Sequence, residues 1–143
     1  MFREAIIAAI LIWPWAIATA SAQDDCQTET YDHNGSAMDV TVCRADVTIR
    51  YRVPRRGLAR HGVVPGTVLF AGRFVPQDVT GDTAADEVSP LAGTAYVFKA
   101  GCTPAGYAVS GAMHARVELH GDAPVRGADC RVTGYRSDEL IFD

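Results

Sequence analysis

Beyond residue 22 the chain contains no tryptophan, because Trp13 and Trp15 are its only two. A sugar- or base-stacking platform built on indole is therefore excluded from residues 23–143. Also missing are paired CxxC motifs, a GxGxxG dinucleotide fingerprint, a phosphate-binding P-loop and the GxSxG elbow of esterases. No cofactor is expected. Nor is there a recurring helical pattern of the kind that alternates with strands in α/β proteins. An excess of positive charge is lacking too: 13 Lys and Arg against 17 Asp and Glu give a net charge of -4. Nucleic-acid binding is not expected, since it needs an extended basic face to neutralise several phosphates.

What is present begins with an export signal. Arg3 is followed by an apolar run from Ala5 to Ala18, interrupted by Pro14, and then by Ala20-Ser21-Ala22. This reads as a secretory signal, residues 1–22, cleaved to leave Gln23 first. The run is too short for a stable membrane span, which needs about 20 apolar residues. The remaining 121 of the 143 residues suit a single exported domain, residues 23–143, periplasmic or secreted. All four cysteines, Cys26, Cys43, Cys102 and Cys130, lie in it. In an oxidising compartment they predict two disulfides. Three pairings are open, and the sequence-local one joins Cys26 to Cys43 and Cys102 to Cys130. The shorter loop alone would contribute about 3 kcal/mol by chain entropy.

Period-two alternation dominates the exported part. Asn34-Gly35 lies between strand-like residues 28–32 and 37–43, a strong hairpin signal. In VTIRYRV, residues 47–53, Val47, Ile49, Tyr51 and Val53 alternate with Thr48, Arg50 and Arg52, and Pro54 ends the strand. Further strand signals fall at 67–70, 94–102, 107–111, 115–119 and 130–135, with Leu140 and Phe142 alternating after them. Residues 75–93 read as a long loop, and 122–127 as a connection. Tyr51, Phe70, Tyr96, Phe98 and Tyr107 are assigned to the core. The expected fold is all-β, a small antiparallel β-barrel or sandwich with seven or eight short strands and two disulfides.

The most unusual segment is RYRVPRRGLARHG, residues 50–62, with five arginines and one histidine in an acidic chain. Guanidinium groups are permanently charged planar forks that match carboxylates and phosphates. Arg50, Arg52, Arg55, Arg56, Arg60 and His61 are therefore the candidate partner-binding residues. The competing reading is a solvated rim that offsets acidic residues such as Asp82–Glu87 and Asp138-Glu139. YDHNGS places Asp32, His33 and Ser36 close in sequence, which would suit a hydrolase only if the three aligned in space. Their structural reading is a turn in which Asp32 and Asn34 bond backbone. His114, Glu118 and His120 could share a strand face, but the two histidines would lie about 20 Å apart on an extended strand, too far to ligate one ion. No metal site is expected.

The blocks YDHNGSAM, IRYRVPRRGL, GVVPGTVLFAG, GTAYVFKAGC, YAVSG and CRVTGY resemble small exported proteins or domains of alphaproteobacteria with a YDHNGS-type segment. That resemblance carries no catalytic role. A weaker one, through size, export and Tyr31, Gly35 and Met38, is to the periplasmic C-type lysozyme inhibitors. It implies a disulfide-bearing antiparallel barrel that plugs a lysozyme cleft with a protruding loop. The inhibitors carry Ser-Gly-Ala ahead of a tyrosine; here no tyrosine closely follows Ser110-Gly111-Ala112. The resulting expectation is a non-enzymatic envelope module that binds an envelope or secreted protein through its basic surface. A lysozyme inhibitor and an unrecognised hydrolase are the alternatives.

Overall fold

A computed structural model describes residues 25–76 and 88–143. The proposed signal and residues 77–87 of the expected 75–93 loop lie outside the described residues. Eight strands, β1 (Cys26–His33), β2 (Ser36–Cys43), β3 (Asp46–Val53), β4 (Val68–Phe74), β5 (Ser89–Val97), β6 (Ala105–Met113), β7 (Val117–Arg126) and β8 (Val132–Phe142), form one sheet in chain order. Every neighbouring pair is antiparallel. The expected all-β fold with two disulfides is found, but the sheet is not closed into a barrel. β1 and β8 form no ladder; the backbone bonds that join the two edges run from the Asp32 N–H to Asp143 O at 2.7 Å and from the Asp143 N–H to Asp32 O at 3.2 Å.

Alternation explains the core. Met38 and Val40 from β2, Val47 and Ile49 from β3, Val117 and Leu119 from β7, and Phe142 from β8 all point inward and are buried. Leu69 and Phe70 are both buried although adjacent, because the β3–β4 register shifts between Ile49 and Arg50 and releases one residue from strict alternation. Across β4 and β5, Gly72 faces Gly93, and the Phe70 ring occupies the space their missing side chains leave. A Cβ on Gly72 would lie 2.4 Å from that ring and 2.3 Å from the Ala92 carbonyl.

Three expectations are corrected. The loop of residues 75–93 ends earlier, since β5 begins at Ser89; Pro90 is tolerated because it sits at the end of the β4 ladder, where its carbonyl accepts from the Val75 N–H at 2.9 Å. The 122–127 connection is instead the second half of β7. β6 pairs with β7 only as far as Gly121, so Pro124 has a single neighbouring strand and its missing N–H costs no ladder bond. Tyr96 is not in the core. It is half-buried on the opposite face, its ring over Gly106 of the adjacent strand.

Both disulfides adopt the sequence-local pairing, Cys26–Cys43 and Cys102–Cys130. Asn34 and Gly35, with φ of 52° and 79°, close a two-residue hairpin in which His33 and Ser36 are the hydrogen-bonded pair. Counting back by twos makes Cys26 and Cys43 a non-hydrogen-bonded pair, the closer of the two spacings, in agreement with their 4.2 Å Cα separation.

Tyr107 is buried, and its hydroxyl donates to Asp138 Oδ2. Burial first, then the bond to this carboxylate, push its pKa well above the ordinary 10. Burial likewise raises Tyr51 and Tyr31. A phenol whose folded pKa is raised stabilises the fold fully below the unfolded value and loses that contribution as pH rises through the folded value. Urea unfolding is therefore expected to show lower stability at about pH 11 than at about pH 8, with a smaller fall in Tyr107→Phe. An equal fall in the variant would remove Tyr107 from the explanation.

Candidate functional site

The strand ends sort the loops into two sets. Residues 34–35, 54–67, 98–104 and 127–131 connect strands at one end of the sheet; residues 44–45 and 114–116 do so at the other. The basic segment runs from the outer face of β3 into the 54–67 loop of the first end.

Arg50 and Arg52 are held on that outer face. Arg50 Nη1 donates to Gly66 O at 3.3 Å, and Arg52 Nη1 donates to Thr30 Oγ1 at 2.9 Å and lies 3.9 Å from Asp39. The following loop is fixed by its backbone. The Arg55 N–H donates to the buried Ser36 Oγ at 3.0 Å, and Leu58 O accepts from the N–H groups of His61 and Val63. A single 3-10 turn, Ala59–His61, ends at Gly62 with φ 83°. Val63 then turns into the core and is buried, so the loop is anchored from beneath while Arg55, Arg56 and Arg60 stay exposed. Arg55 is near enough to Tyr51 for its charge to oppose the upward effect of burial on that phenol.

His61 joins this loop to the next. Its Nδ1 lies 3.2 Å from the Ala100 N–H and its Nε2 lies 3.2 Å from Arg60 Nε, both donors. A neutral imidazole offers one acceptor nitrogen, so it satisfies one of these donors at a time. His61 also lines a cleft of about 340 Å³ with Val97, Phe98, Lys99, Pro124, Val125, Arg126 and Arg136. Arg126 donates from Nε to Cys130 O at 3.1 Å and from Nη1 to Thr103 O, tying together the loops that Cys102–Cys130 bridges. Lys99, Arg126 and Arg136 were not singled out from the sequence, being far from the 50–62 segment. Strand polarity in an up-and-down sheet is the signal that could have grouped them.

Ion pairs among the described residues occur at Arg52–Asp39, Arg73–Asp46, Arg116–Glu118 and, within the 127–131 loop of this end, Arg131–Asp129. Among the described residues, Arg55, Arg56, Arg60, Lys99, Arg126 and Arg136 of this end have no carboxylate within 4.0 Å; Arg50, on the outer face of β3, and Arg44, alone in the turn at the opposite end, have none either. Of the exposed apolar side chains among the described residues, Val53, Val64, Val125 and Val132 belong to this end, while Val75 and Val88 flank the β4–β5 connection at the other.

The other sequence candidates have different surroundings. Asp32 Oδ1 accepts from the Gly35 N–H at 3.0 Å, a turn bond as expected. His33 Nδ1 lies 2.7 Å from Ile141 O, so that nitrogen carries the proton; Nε2 faces the Asn34 amide, and the ring stacks on Phe142 at 4.7 Å. Asn34 thus bonds this imidazole side chain in place of turn backbone. With Ser36 engaged by Arg55, the Asp32, His33 and Ser36 side chains do not form the nucleophile–base–carboxylate chain that a hydrolase needs. Ser110-Gly111-Ala112 lies within β6, Gly111 pairing with Leu91 on one side and Leu119 on the other, so it is not a protruding loop. His114, Glu118 and His120 border one outer cavity, but Glu118 pairs with Arg116 and His120 lies 3.9 Å from Glu139. Comparison with protein-family models, curated proteins and solved structures yields no match to this chain.

Proposed function

We propose that this chain is a non-enzymatic, exported binding module whose basic end recognises an acidic surface on an envelope or secreted protein. The observation that carries the reading is the coincidence, at one end of the sheet, of basic side chains without acidic partners and exposed valines. Cationic groups alone would suit any anion. Apolar side chains interleaved with them favour a protein surface, where desolvated contacts supply affinity and charge supplies orientation and association rate. The anchored 54–67 loop supports the same reading, since a preformed surface loses less entropy on binding than a flexible one. Two disulfides fit an oxidising compartment, and no helix among the described residues is long and apolar enough to cross a membrane.

The test is a cross-linked envelope pull-down with residues 23–143, set beside a folded Arg55→Ala/Arg56→Ala/Arg60→Ala form. The expected result is one enriched protein that the variant recovers at least tenfold less, with recovery by the native chain falling as salt rises. Equal recovery by both forms would overturn the assignment.

A further inference from the structure

A second surface, independent of the basic end, follows from how the sheet fails to close. Because His33 and Ser36 form the hydrogen-bonded pair of the first hairpin, the N–H and C=O groups of His33, Tyr31, Glu29 and Gln27 point toward β2. Those of Asp32, Thr30 and Thr28 point the other way. Asp32 confirms the phase, since it makes both of its bonds to Asp143 on that side. Among the described residues the ladder stops there. Thr30 and Thr28 therefore present two further rungs, each a donor and an acceptor, on a strand edge with no neighbour among the described residues.

Behind this edge lies a cavity of about 430 Å³ bordered by Gln27 and Glu29 of β1, Val40 and Val42 of β2, and Phe74, Ser89, Met113 and His114. Its floor is apolar and its one carboxylate is Glu29, held in place by the Tyr31 hydroxyl, which donates to Oε2 at 2.8 Å. The side chains on the other face of β1 are already engaged, Thr28 with Thr41 and Thr30 with Asp39 and Arg52.

We infer that the edge of β1 accepts an extended polypeptide segment from a partner, added antiparallel in line with the end of β8, with a basic side chain opposite Glu29 flanked by apolar ones. Strand addition of this type gains affinity from main-chain bonds and specificity from alternate side chains. A second copy of the chain fits less well. Two β1 strands related by a two-fold axis that uses both rungs would place Glu29 against Glu29 and the partner's Cys26 where Asp143 sits.

The probe is the end-blocked peptide Val-Thr-Lys-Thr-Val, in which the two threonines oppose Thr30 and Thr28 and the lysine opposes Glu29. Amide exchange read residue by residue is expected to be fast at Thr28 and Thr30 in the isolated protein and slowed at least tenfold by millimolar peptide. N-methylation of the two peptide threonines should abolish this protection, whereas N-methylation of the lysine, whose N–H points away, should preserve it. Glu29→Gln should weaken binding by roughly fivefold, the scale of one partly exposed ion pair. Three results would each overturn the inference. One is protection of Thr28 and Thr30 in the free monomer, which would mean that the chain covers its own edge. Another is protection that grows with protein concentration alone, the mark of a second copy. The third is peptide binding indifferent to methylation of the threonines.

Discussion

Phe70→Ala is expected to destabilise the protein by about 4 kcal/mol, in the upper part of the range for truncating a buried aromatic. The reason lies beneath the ring. Phe70 is fully buried over Gly72 and Gly93, which face each other across β4 and β5 without side chains of their own. When a large side chain is truncated, neighbours usually relax into part of the void; here the two nearest inward positions have no Cβ to move. A loss of this size should lower the thermal midpoint by roughly 10–20 °C for a domain of this length, measured by circular dichroism or calorimetry. A loss below about 1 kcal/mol would show that the ring is not the filler of this region. Gly72→Ala should also be damaging, because its Cβ would press on the Ala92 carbonyl as well as on the ring. Shrinking Phe70 in the same protein should not restore it.

The second large effect separates the two disulfides. Cys102 and Cys130 are 28 residues apart, and replacing both with serine should cost about 3.5 kcal/mol from loop entropy; Cys26 and Cys43, 17 apart, should cost about 3 kcal/mol. Their stability costs are similar, but their functional consequences should differ. Cys102–Cys130 joins the two loops that flank Lys99 and Arg126 at the basic end, whereas Cys26–Cys43 staples the far end of the first hairpin. At a temperature where both variants remain folded, loss of the first should weaken partner recovery several-fold, and loss of the second should leave it near the native level. Equal weakening would show that recognition does not depend on the order of those loops.

How much could be read from the sequence depended on how clean the alternation was. In β2 and β3, large apolar residues alternate with polar ones, and an Asn-Gly turn leads into β2, so both strands were legible. In β5 and β7 the inward positions include Gly93, Gly121 and Ala123, which carry almost no hydropathy signal, and Pro90 and Pro124 read as breakers. Pro124 lies where β7 has lost its β6 neighbour, and Pro90 lies at the end of the β4 ladder, circumstances that only the assembled sheet reveals. The basic site divides in the same way. Arg55, Arg56, Arg60 and His61 are consecutive enough to be noticed, while Lys99, Arg126 and Arg136 reach the same end from three other segments. The triad-like spacing in YDHNGS misleads for a local reason: Asp32 bonds the turn it starts, and His33 points across the sheet to β8.

The account rests most heavily on which end of the sheet meets the partner. A photo-reactive phenylalanine analogue placed at Ala59, exposed on the 3-10 turn among the arginines, should cross-link to the captured protein; the same group at Ala45, exposed in the β2–β3 turn at the opposite end, should not. Adducts from Ala45 with none from Ala59 would contradict the account and move recognition away from the basic end.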